Sequence, residues 1–178
     1  MSLSDSVALD QVTPSQLWTS LDAETKKLAA TSLYAALGVA ASGRAEADAS
    51  IARAIRFRPT AVRRLPVERR IGYLLKAVRP DDSLACSLLL ALHIEQRGPI
   101  LEAFLTRLGI PHQNGLIDEG YDLSPPESAT LSAAVDDLFT KFPKDEVELY
   151  LTSLVAIDRD TWGELVRALQ RKTGGARL

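Results

Sequence analysis

The sequence predicts an all-α fold: a single-domain bundle, or a stack of helical hairpins, of about seven or eight helices joined by short links. Three observations lead there. Convincing period-2 runs of β-branched residues are absent. Leucine and alanine, both strong helix formers, dominate the composition. Nine prolines cut the chain into helix-sized blocks.

The blocks follow in order. Thr13-Pro14-Ser15-Gln16 is a capping-box pattern with proline at the first helical position. After a short turn, Asp22 opens a longer helix through Leu28, Ala29, Leu33, Ala36 and Leu37 that stops at Gly38. Residues 28–41 are nearly free of charge, which predicts a helix surrounded by others. A helix over Arg44–Phe57 carries Ile51 and Ile55 on one face, and Pro59 ends it by disfavouring helical geometry at Arg58. A turn over Thr60–Arg64 leads to Pro66, which starts a helix with Ile71, Leu74, Leu75 and Val78 inward. Pro80-Asp81-Asp82 stops that helix and caps the next. Leu84 to Ile94 is the longest apolar run and reads as a buried core helix to about Gln96. Pro99 opens another, through Leu101, Phe104, Leu105 and Leu108 to Gly109.

Residues 110–124 are the longest break, and Asn114-Gly115 within them predicts a short hairpin. Ser124-Pro125-Pro126-Glu127 reads as a second capping box, followed by Leu131, Val135, Leu138, Phe139 and Phe142 at helical spacing. Pro143 separates these from a helix of Val147, Tyr150, Leu151, Leu154 and Val155. Asp160 is expected to cap the last helix, with Trp162, Leu165, Val166 and Leu169 on one face and Gly174-Gly175 at its end. One domain over 13–172 follows, between an N-terminus 1–12 and a tail 173–178 both expected to be flexible, with the 110–124 break as the alternative place for a split into two lobes.

The composition excludes disordered, collagen-like and disulfide-scaffold classes: hydrophobic residues make up 46% and charged residues 25%. The first twenty residues carry Asp5 and Asp10 and lack the pattern of a signal peptide. No run reaches the roughly 18–20 apolar residues of a spanning helix, so a cytoplasmic protein without a membrane role is expected. The single Cys86 lies in the apolar run and behaves as a small hydrophobe.

The formal net charge of −2 hides an asymmetry. Residues 44–79 hold ten Arg/Lys and three acids, whereas residues 118–160 hold eleven acids and three bases. Arg53, Arg56, Arg58, Arg63, Arg64, Arg69 and Arg70 form the sharpest cluster, with no lysine among them. Guanidinium forks suit phosphates and carboxylates, and Phe57 and Tyr73 offer stacking faces, so one reading is nucleic-acid or polyanion binding. The other is pairing with the acidic segment, within one molecule or across a dimer.

Signals for catalysis are weak. No G-x-S-x-G, Walker-type loop or G-x-G-x-x-G is present. His93 and Glu95 point to nearly opposite sides of a helix, which disfavours a shared metal. Cys86 and His93, two turns apart, lie roughly 10 Å from each other, too far for a nucleophile and its base. No catalytic residues, metal or cofactor are therefore expected. If a loop is functional it is 110–124, which gathers His112, Asp118, Glu119, Tyr121 and Asp122. An inter-helix ligand pocket near His93 or His112 is the remaining alternative. The leading expectation is an association module that binds protein, itself as a homodimer or another chain, with 44–79 and 118–160 as complementary surfaces.

Overall fold

The computed structural model describes residues 11–172, and among them the regular secondary structure is helical apart from one two-stranded hairpin. Most of the expected N-terminus 1–12, and the whole tail 173–178 with Gly174-Gly175, lie outside the described residues. Contacts group the chain into two compact units that meet between Gln96 and Arg97 in sequence.

The first unit, Pro14–Gln96, holds α1 (Pro14–Ser20), α2 (Ala23–Ala35), a 3-10 turn (Gly38–Ala41), α3 (Arg44–Ile55), α4 (Pro59–Arg63), α5 (Val67–Ala77) and α6 (Asp82–Gln96). The apolar run becomes α6, which packs on α1 and α2 and buries Leu84, Leu88, Leu89 and Leu92 completely. Each such leucine contributes about 2 kcal/mol through removal from water. Two carboxylates place the helix starts. The Asp22 side chain accepts from Thr25 N at 2.8 Å and caps α2, and Asp81 accepts from Leu84 N at 3.0 Å at the head of α6. Arg44 closes the other end of α2, donating to the carbonyls of Leu33 and Ala36 that the helix leaves unpaired. Gly43 sits where α3 meets α6, since a Cβ there would lie 2.4 Å from Ser87 Cβ.

The second unit holds α7 (Gly98–Leu108), β1 (His112–Gln113), β2 (Leu116–Ile117), α8 (Ser128–Lys141), α9 (Lys144–Ile157), α10 (Arg159–Trp162) and α11 (Leu165–Lys172), together with residues 11–13. Val12 is buried there, and its carbonyl accepts from Arg159 at 3.3 Å. α7 packs on α8, and α11 packs on α8 and α9. Phe104 of α7 is fully buried between Tyr150 of α9 and Trp162 of α10, with ring centroids 5.7 and 5.6 Å away. Burial pushes the Tyr150 phenol up from its ordinary value.

Five expectations are corrected. α2 ends at Ala35 rather than running through Leu37, because Ala36 turns extended and Gly38 takes φ +60°; Leu37 is left 84% exposed. α3 ends at Ile55, since Arg56 adopts the left-handed conformation that closes the helix. Residues Pro59–Arg63 are a short helix, not a turn. The Ser124-Pro125-Pro126-Glu127 capping box does not form: each proline pushes the residue before it into extended geometry, and α8 starts only at Ser128. Asp158, not Asp160, accepts from Thr161 N and caps the final segment, which divides into α10 and α11 around Gly163. No helix among the described residues is long and apolar enough to cross a membrane.

Candidate interaction surface

The arginine cluster lies wholly in the first unit, on α3, α4, α5 and their links; α3 packs against both α4 and α5. Arg53, Arg56, Arg58, Arg63, Arg64 and Arg69 are all exposed, and none makes an ion pair among the described residues. Arg53 only donates to Ser50 Oγ at 2.9 Å. Phe57, between Arg56 and Arg58, is 53% exposed, and Val67 and Tyr73 on α5 are also exposed. Six guanidinium groups therefore face solvent on one run of chain with apolar side chains interleaved.

Arg70 behaves differently. It reaches inward to Asp48 on α3, an ion pair of 3.1 Å in which the carboxylate is buried. Tyr34 OH of α2 donates to the same carboxylate at 2.8 Å, and the Arg70 guanidinium lies 4.7 Å from the centre of the Tyr34 ring. Burial raises the Tyr34 pKa, and its hydrogen bond to Asp48 and the charge of Asp48 add to the rise. Arg70 is thus a structural member of a three-helix polar cluster. Arg69, one position away, points to solvent because successive helical residues are rotated by about 100°.

The acidic segment lies wholly in the second unit, and four of its eleven carboxylates are engaged there. Asp137 pairs with Lys141, Glu148 with Lys144 and Asp136 with Lys172. Asp158 is a cap. Glu119, Asp122 and Glu127 are exposed and make no ion pair among the described residues.

The 110–124 loop forms the hairpin predicted by Asn114-Gly115, whose φ values of 52° and 79° are those of a tight turn with both central residues left-handed. His112 fastens it. Its Nδ1 accepts from Gly115 N at 3.4 Å, and its Nε2 lies 2.8 Å from Thr106 Oγ1 of α7. A ring whose two nitrogens are both occupied in this way is a clasp. Asp118 N donates to Pro111 O, Glu119 and Asp122 face solvent, and Tyr121 is 42% exposed. Within the loop, His112 thus turns back to the helix.

His93 is buried in α6, as a core histidine would be. Cys86 is a half-buried free thiol; burial pushes its pKa up and Glu46 adds to the rise, which disfavours the thiolate. Among the described residues, no three His, Cys, Asp or Glu side chains converge to hold a metal ion. An open groove of about 640 Å³ runs along α8 and α11, lined by Ser128, Ser132, Glu164, Arg167 and Arg171 among others, and includes neither histidine. Its charges are already engaged, with Arg167 on Glu164 and Arg171 on Ser132.

Sequence reading overlooked Arg97, a half-buried guanidinium with one nitrogen unpartnered. Desolvation lowers its pKa, and Glu146 and Asp145 work against that. Its place at the end of an apolar run gave no signal, since those acids come some fifty residues later. Comparison with known proteins finds no match: no family model, no curated protein and no solved structure.

Proposed function

We propose that this chain is a cytoplasmic, non-catalytic association module, a single helical domain over 13–172 that binds protein through complementary surfaces in 44–79 and 118–160, with a second copy of itself as the partner. One observation carries the reading. Six exposed arginines, Arg53 to Arg69, have no acidic partner among the described residues, while Glu119, Asp122 and Glu127 stand equally unpaired in the acidic segment. Opposed surfaces of this kind favour encounter and set register more than they add raw affinity. Sedimentation velocity across a salt series tests it: assemblies at low salt that dissociate as salt rises are expected. A monomer at every salt concentration would exclude electrostatic self-association.

A second reading is polyanion binding, nucleic acid above all, through the same arginines. The exposure of Phe57 and Tyr73 beside them supports it, since aromatic faces interleaved with guanidinium groups accept stacked bases. Fluorescence anisotropy with a single-stranded oligonucleotide at low ionic strength distinguishes the two. Binding that weakens steeply with salt and falls in Arg63→Ala/Arg64→Ala favours this reading, and absence of binding ends it.

A further inference from the structure

The chain exposes nine large hydrophobic residues among those described, and six of them lie in two segments of opposite charge. Phe57, in the link between α3 and α4, and Val67 and Tyr73 of α5 are exposed along the α3–α5 stretch, here its edge, which also carries the free arginines. Leu116, Ile117 and Tyr121 lie on the hairpin and the loop after it, with Glu119 and Asp122. Both residues of β2 are exposed, although the hairpin itself is firmly held. His112 bonds to Thr106, and Gly115 sits so close to α7 that a Cβ there would lie 2.7 Å from Leu101 Cβ. A rigid, apolar, acid-flanked hairpin loses little freedom on docking, which makes it an efficient ligand. An apolar centre with a charged rim is also the usual anatomy of a protein interface.

We infer that the hairpin of one copy docks on the α3–α5 edge of a second copy, with Leu116, Ile117 and Tyr121 against Phe57, Val67 and Tyr73, and Glu119 and Asp122 against the arginines. This rests on the self-association reading above and names its contacts. Charge complementarity selects a second copy, because one chain carries both halves. The contact joins two different surfaces, so it is heterologous: each docked copy still offers one free hairpin and one free edge, and growth continues into a ring or a chain.

Two charge reversals and their mixture test this. Arg58→Glu/Arg63→Glu/Arg64→Glu removes the edge, and Glu119→Lys/Asp122→Lys removes the hairpin's charge; all five positions are exposed, and circular dichroism checks that each variant keeps its helices. Each variant alone is expected to lose self-association, with its dissociation constant raised about tenfold or more. An equimolar mixture is expected to recover association, because the intact hairpin of one variant meets the intact edge of the other, and the reversed edge meets the reversed hairpin with the charges exchanged. Leu116→Ser provides a variant without charge change and should also weaken assembly of the unaltered protein. If the hairpin variants assemble like the original chain, or the mixture recovers no association, the inference is overturned. If assembly of the original is salt-sensitive but is lost on reversing Asp145 and Glu146 instead, the self-association reading survives and the hairpin docking does not.

Discussion

In the first unit three helices meet on a polar cluster, Tyr34 of α2, Asp48 of α3 and Arg70 of α5; in the second, α7, α9 and α10 meet on an aromatic one, Phe104, Tyr150 and Trp162. The aromatic cluster stabilises by area and shape, so its contribution is spread over three rings. The polar cluster is directional. Asp48 is the common acceptor, and losing it strands a partly buried guanidinium whose Nε already lacks a partner. One arrangement tolerates trimming in proportion to volume, while the other depends on one residue.

The contrast is broken most severely at Phe104. Phe104→Ala removes a fully buried ring and should cost about 4 kcal/mol, read from urea unfolding, with the loss confined to hydrogen-exchange protection of α7–α11 if the units unfold separately. Asp48→Ala comes next. It should cost about 3 kcal/mol, and the double variant Asp48→Ala/Arg70→Met should recover part of the loss, because the stranded charge goes too. Failure of that recovery would mean that the guanidinium is not the source of the cost.

Tyr34→Phe is milder. It removes one hydrogen bond and should cost about 1 kcal/mol at neutral pH. Its sharper effect is on pH dependence. Both Tyr34 and Tyr150 have folded pKa values raised above the ordinary phenol value of 10.0. The stability linked to a raised acid is complete below the unfolded pKa and is lost as pH climbs above it. Unfolding should therefore become easier above about pH 10. Tyr34→Phe should flatten that decline for the first unit and Tyr150→Phe for the second. The smallest effect has the opposite sign. Arg56 closes α3 at φ 58°, so Arg56→Gly should stabilise the first unit by about 0.5–1 kcal/mol in thermal melts.

How much of this was readable in sequence depends on whether the governing physics is local. Asn114-Gly115 announced its hairpin because the turn needs nothing beyond its own backbone. Asp22 announced α2 because a cap acts within three residues. Pro125-Pro126 misled because the capping-box pattern and the restriction that proline places on its predecessor conflict, and the restriction is the stronger. The arginine cluster was visible as composition, but its division was not. Arg69 and Arg70 are neighbours, and only the position of Asp48, 22 residues before Arg70, turns one of them inward. The left-handed Arg56 left no mark either, since arginine carries no preference for that conformation.

The placement of Trp18 and Trp162 has a practical consequence. They are the only two tryptophans in the chain, both are buried, and one lies in each unit. The protein therefore carries a native optical label for each half, without dyes or engineered probes. Trp18→Phe leaves an emission signal that follows the second unit alone, and Trp162→Phe leaves one that follows the first. Coincident melting curves from the two variants would identify a single cooperative domain, and curves that separate would give each half a midpoint of its own.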